Sequence, residues 1–155
     1  MTPEIRVQEA DFDVGREIAA VSAGDTGVGG VASFVGLVRG AAAGSAIGAM
    51  TLEHYPGMTE KALAAIAAEA ARRWPLDGIR IVHRYGRLLP GDRIVLVVTA
   101  SAHRDAAFDA CRFLMDWLKT RAPFWKREET ADGDRWVEAK ADDDAAAARW
   151  QAPQP

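Results

Sequence analysis

Hydrophobic positions along the chain switch between a two-residue and a three-to-four-residue period, and each switch marks an element. Residues 4–8 pattern as a short strand, and Asp13 opens a helix that reaches Ser22. After a glycine-rich connection (Gly24, Gly27, Gly29, Gly30), the apolar stretch 31–38 reads as a buried strand ending at Arg39. Residues 40–48 carry no charge and little that can pack, which predicts a mobile loop that orders only with ligand. Met50, Leu52 and His54 alternate with Thr51, Glu53 and Tyr55 as a strand, stopped by Pro56-Gly57. Thr59 caps a helix to Trp74, with Leu63, Ile66, Ala67, Ala70 and Trp74 as its apolar stripe. Pro75 and Asp77-Gly78 end it. Ile79, Ile81, His83 and Tyr85 alternate as the next strand, and Pro90-Gly91-Asp92 turns the chain into 93–100. That run is nearly continuous in β-formers, which places it centrally in a sheet. Ser101 caps a second long helix over about 103–119, whose apolar face is Ala107, Ala110, Cys111, Leu114, Trp117 and Leu118. Beyond Pro123, residues 124–129 and 135–138 form a hairpin across Ala131-Asp132-Gly133-Asp134, and an alanine-rich helix ends near Trp150. The order β-α-β-β-α-β-β-α-β-β-α predicts one α+β domain over residues 1–150 and a frayed tail at 151–155.

Composition narrows the function classes. The 155 residues suit a single domain, and 49% hydrophobic content is enough for a core, which excludes a disordered chain. Nineteen Lys and Arg against 22 Asp and Glu leave a net charge of −3, the wrong sign for a whole-surface nucleic-acid binder. The single cysteine, Cys111, cannot form an intramolecular disulfide and reads as an inert core thiol. No Cys–His cluster has metal-ligand spacing, so no metal or cofactor is expected. The N-terminus lacks an apolar secretory core, and the longest apolar run, 94–98, is far short of the roughly 20 residues that span a bilayer. A soluble, cytoplasmic protein with no membrane contact is expected.

Charge is unevenly placed. Residues 103–127 hold six Lys and Arg against three Asp, whereas 128–144 hold eight acids against Arg135 and Lys140. An acidic chain that gathers its cations in one segment offers them to an anion, although a solvated mixed-charge face would have the same composition. Ser101-Ala102-His103-Arg104 opens a helix, where free N–H groups and the positive dipole end favour anions. An arginine there opposes the dipole, so His103 and Arg104 fit a bound phosphate or carboxylate better than a role in folding. In the block 118–127, Lys119 complements a helix C-terminus, but Lys126, after Phe124 and Trp125 on a strand, has no such structural role. Clustered cations with apolar neighbours lower one another's pKa, which makes a lysine usable in proton transfer. Arg39 stands at a strand end beside the glycine loop. His54 and His83 lie on apolar strand faces and read as core or rim residues. The glycine clusters lack the Gly-Lys-Ser/Thr ending of a nucleotide P-loop.

Leu52-Glu53-His54-Tyr55-Pro56-Gly57-Met58-Thr59, Ser101-Ala102-His103-Arg104, Leu118-Lys119-Thr120-Arg121-Ala122-Pro123-Phe124-Trp125-Lys126-Arg127-Glu128 and Asp134-Arg135-Trp136-Val137-Glu138-Ala139 closely resemble the MoaE family, the large catalytic subunit of molybdopterin synthase. The resemblance runs in order over about residues 3–150. It implies an α/β hammerhead-type fold with a mixed, largely antiparallel sheet and an additional small β-subdomain. It also implies a homodimer that binds a small ubiquitin-like sulfur-carrier subunit (MoaD type) at each end, giving a heterotetramer. The carrier's C-terminal thiocarboxylate would pass its sulfur to cyclic pyranopterin monophosphate (precursor Z), building the dithiolene of molybdopterin. The family's active-site lysines fall on Lys119 and Lys126, its anion- and pterin-binding positions on Arg39, His103 and Arg104, and its apolar pocket lining on Phe34 and Met115. Where the family commonly has an arginine after Val-Glu-Ala, this chain has Lys140, which keeps the charge but not the bidentate fork.

Two anions brought together need a cationic pocket, and a sulfur that arrives on a partner explains the lack of a reactive cysteine. His103 and Lys119 are 16 residues apart on one predicted helix, roughly 24 Å at 1.5 Å per residue. One small pterin phosphate cannot touch both ends, so a shared site would draw its His103-Arg104 end from a second protomer. The alternative is a non-catalytic anion-binding or carrier-docking module on the same scaffold, which would have no need of both lysines.

Overall fold

The computed structural model describes residues 1–42, 44–137 and 141–151. Its elements follow the hydrophobic periods: β1 (Glu4–Gln8), α1 (Val14–Ser22), β2 (Gly30–Leu37), β3 (Ala41–Ala42), β4 (Ser45–His54), α2 (Met58–Arg73), β5 (Leu76–Arg84), β6 (Gly86–Leu88), β7 (Arg93–Ser101), α3 (Arg104–Arg121), β8 (Phe124–Thr130), β9 (Gly133–Val137) and α4 (Ala141–Ala148). The fold is α+β. One sheet has the order β1-β5-β7-β2, with β1 parallel to β5 and the other pairs antiparallel. The second sheet, smaller in strand residues though it has five strands, runs β3-β4-β8-β9, with β6 also on β4. This is the mixed sheet and added β-unit that the resemblance implies.

The larger sheet is covered on both faces. Ile79, Ile81, Val95 and Val97 on one face pack with Leu63, Ile66 and Ala70 of α2 and with Phe113, Leu114 and Leu118 of α3. Val82, Leu96 and Val98 on the other face meet Phe12 and, from α1, Val14, Ile18 and Val21. Burial on both faces explains why β7 reads as an unbroken apolar run. A third cluster, Val38, Met50, Leu52 and Leu88 with Ile94 and Tyr85, joins the two sheets. The alanine-rich α4 lies on α3, where Trp117 Nε1 donates to the Ala147 carbonyl at 3.3 Å and Trp150 Nε1 donates to Asp116 Oδ2 at 2.7 Å.

Several expectations are corrected. The stretch 31–38 is an edge strand with Val31, Phe34 and Leu37 exposed, because β2 pairs on one side only, with β7. The loop expected at 40–48 is instead a hairpin: Ala41 pairs with Ala46, Ala42 with Ser45, and Gly44 takes φ 77° between them. Ile47 is buried, and its N–H donates to the Gly40 carbonyl at 2.9 Å. Position 43 lies outside the described residues. Thr59 is not the cap of α2. Gly57 is, with φ 84°, and Glu60 reaches back to accept from its N–H at 2.7 Å. The Thr59 hydroxyl is buried, donating to the Tyr55 carbonyl at 2.9 Å and accepting from the Tyr55 N–H at 3.1 Å. Nor does Ser101 cap α3. It ends β7, its hydroxyl donates to the Pro75 carbonyl at 2.8 Å, and His103 is the N-cap, without a side-chain capping bond. No helix among the described residues is long and apolar enough to cross a membrane.

Candidate functional site

Two adjoining cavities of about 630 and 500 Å³ open at the seam between the sheets, and they share Leu37, Arg39, Ile94, Lys119, Lys126 and Val137. Three separate pieces of backbone bring the cations there. Arg39 follows the end of β2, where the chain is held by the Val38 N–H donating to the Asp92 carbonyl at 2.9 Å and the Gly91 N–H donating to the Val38 carbonyl at 2.8 Å. Lys119 lies in the last turn of α3. Lys126 is on β8, opposite Leu52 of β4 and Val137 of β9. Strand alternation puts Lys126 and Glu128 on the cavity side, while Trp125 points away and is exposed.

Four cations, Arg39, Lys119, Lys126 and Arg135, therefore face two carboxylates, Glu128 and Asp143. Glu128 is buried and accepts from Arg135 Nε at 3.1 Å, so that pair neutralises itself. Arg135 also donates to the Ala42 carbonyl at 3.0 Å, tying the 41–48 hairpin to the site. The walls otherwise mix Phe34, Val35, Ile94, Val95 and Phe124 with these charges, an arrangement suited to a flat ligand bearing an anionic group.

The other expected site residues are divided between the cavities and more distant places. Phe34, 44% exposed, lines the smaller cavity as expected. Met115 does not line either cavity. It is buried in the core against α2 and the larger sheet, one turn of α3 before Lys119. His103 and Arg104 are exposed at the far end of the unbroken 18-residue α3 and line neither cavity of this protomer. Gly29 seats that end: a Cβ there would lie 2.1 Å from the Ala102 carbonyl oxygen, so only glycine lets β2 start so close. Lys140 lies outside the described residues. Among the described residues, no three His, Cys, Asp or Glu side chains converge to hold a metal ion.

The sequence alone does not point to Glu128, Arg135 or Asp143 as site residues, and it places His83 only in the core or at its rim. For Glu128 the signal was available, because it is two residues from Lys126 on the same strand. His83 is a core residue, as its strand face suggested, but it also lines the smaller cavity. Its ring stacks on Phe124 with centroids 3.7 Å apart and planes inclined by 16°. Burial, reinforced by the charges of Lys126, Lys119 and His54, pushes its pKa down to about 3, against the hydrogen bond to the Arg84 carbonyl that favours the proton.

Comparison with known proteins places this geometry. The sequence profile of the family described as "MoaE protein" matches residues 7–121. The chain belongs to the MoaE family. The "Molybdopterin synthase catalytic subunit" of Pseudomonas aeruginosa is 62% identical over 147 residues, covering 95% of this chain and 98% of that protein. A solved MoaE protein from Burkholderia ambifaria superposes with a TM-score of 0.83 at 56% identity, covering 97% of this chain and 99% of that one. A Helicobacter pylori chain from a complex of subunits 1 and 2 of molybdopterin-converting factor shares the fold, with TM-score 0.70 at 19% identity, covering 88% of this chain and 90% of that one. The superposition on the Burkholderia ambifaria protein covers nearly the whole chain, so both sheets and the seam between them belong to an architecture shared with it.

Proposed function

We propose that the seam cavity is where this chain, a molybdopterin synthase catalytic subunit and hence a sulfurtransferase, joins its two anionic reactants. The supporting observation is the convergence of Lys119, Lys126 and Arg39 from three different elements on one partly apolar pocket. The C-terminal thiocarboxylate of the small ubiquitin-like carrier enters beside the lysines, and cyclic pyranopterin monophosphate lies against Arg39 and Phe34. The thiocarboxylate sulfur attacks the substrate side chain, the cyclic phosphate opens, and water then cleaves the acyl link to the carrier. Lys119 stabilises the carrier's terminal carbonyl and moves a proton, with Lys126 assisting and holding charge. Two such transfers complete the dithiolene. Chemistry that draws on a soluble protein carrier and a small pterin phosphate suits a cytoplasmic setting. A docking module alone would need a surface, not lysines gathered inside a pocket.

The site is completed by a second copy of the chain. Lys119 and His103 are at opposite ends of α3, roughly 24 Å apart at 1.5 Å per residue, which supports a composite pocket in a two-fold homodimer. With two carriers docked, that dimer becomes a heterotetramer. The test is reconstitution with thiocarboxylated carrier and precursor Z, assayed for molybdopterin. Lys119→Ala should lose at least about a hundredfold in rate, as general acid–base and electrostatic roles of this size predict. Lys126→Ala should be strongly impaired as well. Wild-type turnover by a folded Lys119→Ala protein would overturn the assignment.

A further inference from the structure

We propose that His83 is a substrate-binding residue, its Nε2 accepting a hydrogen bond from an N–H or O–H donor of the pterin and thereby setting how that ligand lies against Lys119 and Lys126. The inference rests on the functional reading above and adds an orienting contact to it.

His83 is 5% exposed on β5. One ring face is covered by Phe124, which fixes the ring plane. Nδ1 lies 2.8 Å from the Arg84 carbonyl oxygen. A carbonyl can only accept, so Nδ1 carries the hydrogen and donates, leaving the lone pair on Nε2. Nε2 has no hydrogen-bond partner among the described residues, yet it is not one of the sealed, unpartnered polar atoms. Since His83 forms part of the wall of the smaller cavity, the accessible edge of its ring opens there. Nε2 thus presents a fixed acceptor to the cavity, which a ligand donor can take up in place of solvent.

The neighbouring charges keep the ring in this form. Lys126 from β8, Lys119 from α3 and His54 from β4 all oppose a second proton, and burial opposes it most. The ring therefore stays a neutral acceptor across the range in which an ordinary histidine would titrate. Arg39, Lys119 and Lys126 can only donate, so they grip anionic groups wherever these are presented. A neutral acceptor at a fixed place instead reads a donor, and a site that pairs a substrate N–H or O–H discriminates strongly against ligands lacking it.

The test compares His83→Phe, which keeps a flat ring against Phe124 but removes the acceptor, with His83→Gln, which restores one. In the full enzyme with carrier, His83→Phe should raise KM and the directly measured Kd for precursor Z about tenfold, one neutral hydrogen bond's worth, while carrier affinity stays unchanged. His83→Gln should recover most of that loss. In the wild-type protein labelled with ¹⁵N-histidine, the Nε2 resonance should move upfield when precursor Z is added, and the free ring should not titrate between about pH 5 and 8. An Nε2 signal unmoved by bound substrate overturns the inference, even if His83→Phe fails to fold. Unchanged KM and Kd in a folded His83→Phe protein overturn it too, as does absence of any precursor Z binding. A wild-type protein that binds precursor Z with the Nε2 shift but makes no molybdopterin would sink the functional reading and leave the contact standing.

Discussion

Glu17, only 5% exposed, is gripped by Arg6 of β1 and by Arg80 of β5, whose Nε lies 2.5 Å from Oε2. The carboxylate ties α1 to the two strands beneath it. Glu17→Ala would leave two guanidinium groups facing a site with no countercharge, a loss of about 3 kcal/mol, at the low end for a broken buried pair because Arg6 keeps some access to water. A urea melt read by far-UV circular dichroism checks this, and an unchanged midpoint would contradict it. His83 acts on stability through pH. Its folded pKa lies near 3 against 6.5 for an ordinary imidazole, so between those values the unfolded chain binds a proton that the fold refuses. Stability is therefore complete above about pH 6.5 and falls as pH drops toward 3, by an amount on the order of 4 kcal/mol. His83→Phe should flatten that part of the pH–stability curve, leaving the smaller loss at lower pH from carboxylates such as Asp11, held below its ordinary pKa by its hydrogen bond from Arg93. Melts of both proteins at pH 7, 5 and 4 would show whether the slopes differ.

Among the elements, β2 and α3 bear on whether the site is shared between two copies of the chain. β2 begins at Gly30, where a Cβ would sit 3.5 Å from the Cα of Arg104, and ends at Leu37 beside Arg39 and the cavity. Its eight residues span roughly 26 Å, close to the length of α3 between His103 and Lys119. Its outer edge has no strand partner among the described residues, and it carries Val31, Phe34 and Leu37 exposed. Two such edges joined antiparallel about a two-fold axis would set the Arg104 end of one chain beside the Arg39 end of the other. Mixing inactive Arg104→Ala and inactive Lys119→Ala proteins should then restore activity, because one pocket of each mixed dimer is wholly wild type. No recovery after proven subunit exchange would argue that each site lies within one chain. The hairpin of β3 and β4 carries its own expectation. Ile47, buried and bonded through its N–H, should be protected from hydrogen exchange in the free protein, and rapid exchange there would contradict the pairing. The sequence could not show this hairpin, because two-residue β3 has no measurable period and alanine and glycine look alike in a loop and on a flat strand. It misjudged β2 for a related reason: an apolar run is the same string of letters whether a neighbouring strand or a second protomer covers its edge. The helices α2 and α3 were legible because their core positions repeat in the sequence, and β7 because its unbroken run of β-formers is too short for a helix.

At the scale of the whole molecule, an acidic chain of net charge −3 keeps a surplus of cations at one seam. Such a field draws anions in and is damped by salt, whose screening length is about 10 Å at 0.1 M. KM for precursor Z should therefore rise as ionic strength increases from 0.05 to 0.5 M (values on the order of these). A flat response would mean that the cations are already neutralised by other groups. The site was only half visible in the sequence: Lys119 and Lys126 stand out by charge and by resemblance, whereas His83 reaches them only because β5 passes beneath Phe124. The link between the lysines has a further consequence. Lys119 rides on the helix packed against one sheet and Lys126 on a strand of the other, with only residues 122–123 between α3 and β8. Because strand residues face alternate sides, adding or removing one residue in that link would shift the frame of β8 and turn Lys126 outward, to the side that Trp125 now faces. The family's chemistry thus depends on a count as well as on side chains. A single alanine inserted after Pro123 should silence sulfur transfer in a protein that keeps both of its lysines.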